Sequence, residues 1–116
     1  MKKRKTPTLG MTTGMKELLK ETAEKHGVPE GFILGTRKYG DYVNARHEFF
    51  YNSVRDGNTA SSVARRTGFD SHTVQYACAR YALVNDFPKL VGYNLKERLR
   101  KQAVAATARE KEKVHG

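Results

Sequence analysis

The chain has 116 residues, of which 38% are hydrophobic and 29% are charged, a balance typical of one globular domain rather than a disordered chain. Its 22 Lys and Arg outnumber its 12 Asp and Glu, so the formal net charge of +10 indicates an anionic partner: DNA, RNA or an anionic membrane surface. No apolar run approaches the roughly 20 residues that a membrane span needs. The single cysteine, Cys78, excludes an internal disulfide framework and a cysteine-rich zinc site. A basic surface that only maintains solubility stays open as an alternative.

The N-terminal part of the chain is predicted to be a tail followed by a helix. Residues 1–12 are basic and hold almost nothing apolar, which is typical of a flexible tail. Apolar residues at helical spacing then predict a helix from Thr12 or Thr13 to the stop signal at Gly27. The short apolar run 31–35 fits a single helical turn.

A third helix is predicted over residues 41–54, with Asp41 as its N-cap. Its apolar positions fall on two adjacent stripes: Tyr42, Ala45 and Phe49, and Val43, Phe50 and Val54. A face this wide predicts the central, most buried helix of a domain that spans residues 13–87.

A helix-turn-helix unit is predicted between Ala60 and Ala79. Thr59 is suited to cap a short first helix, and Asp70 or Ser71 the second. Gly68 falls where the turn needs a left-handed backbone. Small or apolar residues stand where the two helices meet: Val63, Ala64, Val74 and Ala77.

The second helix of this unit is predicted to have a core face and a DNA face. The core face holds Val74, Ala77, Cys78 and Tyr81. The opposite face holds His72, Gln75, Tyr76 and Ala79, with Ser71 at the tip. Gln pairs with adenine, Ser and His bond base edges, and a small Ala fits a thymine methyl group. The residues predicted to lie along the phosphates are Arg65, Arg66 and Arg80.

Residues 88–116 are predicted to add a basic C-terminal helix and tail, with the helix running from about Asn94 to Glu112. Its apolar stripe is narrow and consists of Leu95, Leu99, Ala103 and Ala106. Such a stripe packs either on its own domain, giving a monomer, or on a second copy, giving a homodimer.

Three blocks of the sequence share their pattern with one family of DNA-binding domains. The blocks are Ile33-Leu34-Gly35-Thr36-Arg37-Lys38, Val43-Asn44-Ala45-Arg46-His47 and Thr67-Gly68-Phe69-Asp70-Ser71-His72-Thr73-Val74-Gln75-Tyr76-Ala77-Cys78. They resemble the basic loop, the "v-x-a-R-q" stretch and the "G-G-R-D-H-[ST]-T-V-x-x-A-C" motif of the C-terminal domain of the bacterial replication initiator DnaA, a Trp-repressor-like fold. The resemblance covers about half of the chain, from Glu21 to Tyr81.

The resemblance implies a set of DNA contacts. It implies minor-groove contact by Arg37 or Lys38 and phosphate contact by Arg46, with His47 as a further candidate. It implies base contacts by Asp70, Ser71 and His72, with Thr73 near a phosphate. Two positions depart from the family: Phe69 replaces an Arg, and Ser71 replaces a His. The preferred site should therefore differ from the usual DnaA box.

No G-x-x-x-x-G-K-[ST] phosphate loop occurs, so the ATPase module of DnaA has no counterpart in this sequence. We expect an all-α helix-turn-helix protein, a stand-alone reader of double-stranded DNA that regulates replication or transcription. No enzymatic activity, cofactor, metal site, membrane or small-molecule substrate is expected. The expected location is the bacterial cytoplasm or nucleoid, with a phage or plasmid as a possible source of the gene. The alternative is an RNA-associated or membrane-surface basic module.

Overall fold

The computed structural model describes residues 9–92 of the chain. Within that range lie five helices and no strand: α1 Thr13–His26, α2 Glu30–Ile33, α3 Gly40–Arg55, α4 Ala60–Thr67 and α5 Ser71–Asn85. The prediction of a small all-α domain is confirmed. The helix predicted from Asn94 lies outside the described residues, as do the first eight residues of the predicted tail.

Capping residues set the two ends of α1 where the sequence predicted them. The Thr12 hydroxyl accepts a hydrogen bond from the Met15 amide at 3.1 Å, which satisfies one of the free donors of the first turn. Gly27 ends the helix in a left-handed conformation with φ 65°, and Pro29 prevents its continuation.

The start of α3 differs from the prediction, because Asp41 is not its N-cap. Tyr39 occupies the cap position, and its carbonyl accepts a hydrogen bond from the Val43 amide at 2.9 Å. Asp41 lies in the first turn, where the positive end of the helix dipole favours a carboxylate. The same acidic side chain suits both positions, so its presence alone did not fix the register.

α3 is the central helix, as its wide apolar face predicted. Three consecutive aromatic residues, Phe49, Phe50 and Tyr51, are all buried. Successive side chains on a helix point about 100° apart, so such a run is buried only when neighbours surround the helix. Here α1, α2, α4 and α5 all pack against α3. Apolar residues of these helices complete the core: Met15, Leu19, Ile33, Val63, Val74, Ala77 and Cys78.

The chain is fastened to α3 again after α5 ends. Asp86 takes a left-handed conformation with φ 55° and terminates α5. The Tyr51 hydroxyl donates a hydrogen bond to the Pro88 carbonyl at 2.9 Å, and the Phe87 ring lies 5.9 Å from the Tyr51 ring. These contacts hold residues 87–88 against the domain.

Candidate nucleic-acid interface

The unit formed by α4 and α5 has the predicted helix-turn-helix geometry. The Thr59 hydroxyl caps α4 by accepting from the Ser62 amide at 3.0 Å. Gly68 ends α4 with φ 80°, a conformation that costs glycine nothing, and its amide donates to the Ala64 carbonyl at 2.9 Å. Ala64 is buried in the core. Both ends of α4 are therefore fixed by capping residues that the sequence predicts.

Asp70 acts as the N-cap of α5. Its carboxylate accepts a hydrogen bond from the His72 amide at 3.1 Å, and its side chain remains exposed. Ser71, the other capping candidate, is the first residue of the helix and is half-buried. The cap fixes the position at which α5 begins. The predicted base-reading residues of its first turns are therefore held in a defined place.

The solvent face of α5 carries most of the predicted contact residues. His72, Thr73 and Tyr76 are exposed, and Gln75 is half-buried. Ala79 was also predicted on this face, but that prediction was wrong, because Ala79 is only 7% exposed. Val74, Ala77 and Cys78 lie on the core side, as predicted.

His47 lies beside Tyr76, with the two rings edge to face and 6.1 Å apart. Burial, together with the positive charges of Arg46 and Arg80, lowers the pKa of His47 to about 4. The imidazole is therefore neutral at pH 7. The half-buried His47 and the exposed Tyr76 thus connect α3 to the solvent face of α5, where Arg80 is exposed.

The two arginines at the end of α4 have different surroundings. Arg65 is exposed, and its carbonyl accepts a hydrogen bond from the Leu9 amide at 3.3 Å. Arg66 is half-buried and donates to the Ser62 hydroxyl at 3.2 Å and to the Gly10 carbonyl. Residues 9–10 of the predicted tail thus lie against α4.

The segment between α2 and α3, residues 34–39, forms a surface that we call the basic loop. Lys38 is exposed, and the Arg37 guanidinium lies 4.7 Å above the centre of the Phe32 ring. Tyr39 is 68% exposed and meets Tyr42 edge to face, with ring centres 5.6 Å apart. Sequence reasoning did not single out Tyr39, although an aromatic residue directly after two basic ones was an available signal.

Arg46, predicted to contact a phosphate, is almost completely buried. Its Nε donates to the Ile33 carbonyl at 2.7 Å, and its Nη2 donates to the Phe32 and Arg37 carbonyls at 3.1 and 3.0 Å. Burial lowers the pKa of Arg46 from its ordinary value. The guanidinium therefore ties α3 to the end of α2 and to the basic loop.

Phe69, which stands where the resembling family has an Arg, is an anchor of the turn. Its ring meets the Phe50 ring edge to face, with centres 5.2 Å apart, and the Arg46 guanidinium lies 5.6 Å from its centre. The Phe69 side chain is half-buried and packs against these neighbours. The turn thus contributes an apolar contact to the core at this position.

The net charge is distributed very unevenly along the chain. Residues 9–92 hold 11 Lys and Arg against 9 Asp and Glu, a net charge of only +2. The remaining excess is +4 in residues 1–8 and +4 in residues 93–116. Residues 9–92 are therefore close to neutral as a group. Five of their cations lie on the α4–α5 unit or the basic loop: Arg37, Lys38, Arg65, Arg66 and Arg80.

Residues 9–92 contain no group of three or more His, Cys, Asp or Glu arranged to hold a metal ion. None of the helices in that range has the length and apolar character needed to cross a bilayer. Cys78 lies in the core, where burial raises the pKa of its thiol to about 12, so it is a packed thiol.

Comparison of the chain with protein-family models, curated proteins and solved structures finds no match. The resemblance to the DnaA domain therefore rests on the three sequence blocks alone.

Proposed function

We propose that this chain is a sequence-specific reader of double-stranded DNA that acts without enzymatic activity and regulates replication or transcription. In this proposal α5 enters the major groove and the basic loop reaches the adjacent minor groove. The observation that carries it is the two-sided character of α5. One side packs in the core through Val74 and Ala77, while the other presents His72 and Tyr76 to solvent directly after a capped turn.

The placement of charge around α5 supports the same function. Arg65, Arg66 and Arg80 lie on the unit that contains α5, and Arg37 and Lys38 lie on the basic loop. Arginine and lysine around a groove-reading helix position it through phosphate contacts, while the polar side chains of the helix read base edges.

Selection from a random duplex library tests the proposal. We expect a single enriched motif, and we expect the selected duplex to resist competition by a large excess of random duplex at physiological salt. The same titration with single-stranded RNA and with anionic lipid vesicles tests the alternative of a general basic module. Equal competition by random duplex, or preference for RNA or vesicles, would contradict the proposal.

A further inference from the structure

Arg46 connects three separate parts of the domain through a single side chain. Its two donor groups bond the carbonyls of Phe32 and Ile33, the last two residues of α2, and the carbonyl of Arg37 in the middle of the basic loop. On another side the guanidinium faces the Phe69 ring in the turn before α5, at 5.6 Å. Arg46 is only 7% exposed, so these contacts are made away from water.

This geometry uses properties that only arginine has. The last carbonyls of a helix have no partner within it, and a flat guanidinium serves several of them at once. Its face remains available for an aromatic ring while its edge donates hydrogen bonds. A lysine ammonium has three donor hydrogens on one nitrogen atom and no flat face, so at the same place it could not hold the same three carbonyls and the ring together.

We propose that Arg46 is a positioning residue, which fixes the basic loop relative to the turn before α5 so that both segments meet one duplex in register. This inference rests on the proposed DNA-reading function and gives Arg46 a role other than the phosphate contact implied by the family resemblance. The Arg37 carbonyl and the Phe69 ring are both in contact with the same guanidinium. The distance between the minor-groove and major-groove contacts is therefore set by one side chain.

The substitution Arg46→Lys separates positioning from phosphate contact, because it keeps the positive charge and loses the shape. Arg55→Lys is the matched control, since Arg55 is exposed at the end of the same helix, α3, and belongs to none of the proposed DNA contacts. Without DNA, we expect hydrogen exchange of the Leu34 and Gly35 amides, which donate to the Glu30 and Phe32 carbonyls, to rise about tenfold or more in Arg46→Lys, with the amides of α5 unchanged. The control should leave both regions unchanged.

The DNA measurement uses the duplex selected by the wild-type protein. Arg46→Lys should lower the ratio of selected to random affinity about tenfold, with the loss confined to base pairs at one end of the site. The salt dependence of binding should keep its slope, because the number of charges is unchanged. Wild-type affinity and exchange in Arg46→Lys would overturn the inference and favour a phosphate contact.

Phe69→Leu provides a second variant if Arg46→Lys does not fold. It removes the ring that faces the guanidinium and leaves every charge in place, and it should raise exchange of the Leu34 and Gly35 amides in the same direction. Unchanged exchange in a folded Phe69→Leu protein would contradict the link between loop and turn. The exchange measurements contain no DNA, so they test the positioning role even if the wild-type protein selects no duplex.

Discussion

The Tyr81 hydroxyl donates a hydrogen bond to the Glu48 carboxylate at 2.9 Å and thereby joins α5 to α3. Lys25 Nζ lies 2.6 Å and His26 Nε2 lies 3.0 Å from the same carboxylate, which joins α1 as well. Burial raises the pKa of Glu48, but the bonds from Lys25, Tyr81 and His26 outweigh it and hold the pKa below the ordinary value of 4.5. One buried carboxylate therefore ties together the three helices that form most of the core.

The substitution Glu48→Gln should lower the free energy of unfolding at pH 7 by about 1–3 kcal/mol, because hydrogen bonds to a charged acceptor are lost. The depressed pKa also predicts a pH dependence. The stabilisation is complete above the ordinary pKa of 4.5 and is lost as the pH falls through the lower folded-state value. Urea unfolding at pH 7 and at pH 3 measures both effects.

Glu24→Gln is the control for that prediction, since Glu24 is exposed on α1. It should leave the unfolding free energy within about 0.5 kcal/mol of the wild type at both pH values. A Glu48→Gln protein with the pH dependence of the wild type would show that this carboxylate does not hold the helices together.

His47 predicts a second pH effect in a different range. Its pKa is about 4 in the folded protein and 6.5 when unperturbed, so the unfolded chain binds a proton that the folded protein rejects. Stability should therefore fall as the pH drops from about 6.5 to about 4, by at most about 3 kcal/mol. His47→Gln should remove most of that loss. An imidazole resonance of His47 that titrates near 6.5 would contradict the prediction.

The solvent face of α5 predicts a division of roles between side chains. His72→Ala or Gln75→Ala should cost about 1–3 kcal/mol on the selected duplex and relax the preference at one base pair. Thr73→Ala should weaken selected and random duplex alike, because a phosphate contact carries no sequence information. Glu21→Ala on the exposed face of α1 is the control. Equal losses on all sequences for His72→Ala would show that this helix does not read bases.

The basic N-terminal residues predict an effect on affinity without an effect on folding. Deletion of residues 1–8 should leave thermal stability nearly unchanged, because it keeps Leu9 and Gly10, whose backbone groups are hydrogen-bonded to α4. Binding at low salt should weaken and the slope of log affinity against log salt should decrease. Replacing Lys2, Lys3, Arg4 and Lys5 by Gln separates charge from chain length. A large loss of stability on deletion would mean that these residues are packed.

Most helix boundaries could be predicted from the sequence, because local hydrogen bonds set the ends of these helices. Thr12, Thr59, Gly27 and Gly68 cap helices through bonds to residues at most four positions away, so sequence spacing contains the information. Asp41 was misplaced because an acidic residue suits both a cap and a first turn.

The structural role of Arg46 could not be predicted from local sequence spacing. Its partners lie 9 to 14 positions away in the chain, and their carbonyls come together only when α2 and the basic loop have folded against α3. The burial of Ala79 likewise depends on what packs beside α5, which helical periodicity does not describe. Sequence alone therefore does not show whether a basic residue contacts a phosphate or holds the fold together. The contacts of its side chain in the folded structure are needed to decide.

Under the proposed function, the uneven distribution of charge separates the rate at which the protein meets DNA from the lifetime of the complex. Eight of the ten excess positive charges belong to residues 1–8 and 93–116. Long-range attraction mainly raises the rate of encounter, whereas close contacts in a groove mainly slow dissociation. Changes in the terminal segments should therefore alter arrival times on DNA, and changes in α5 should alter residence times. Substitutions in the terminal segments can then change the rate of association, and substitutions in α5 the choice of site, independently of each other.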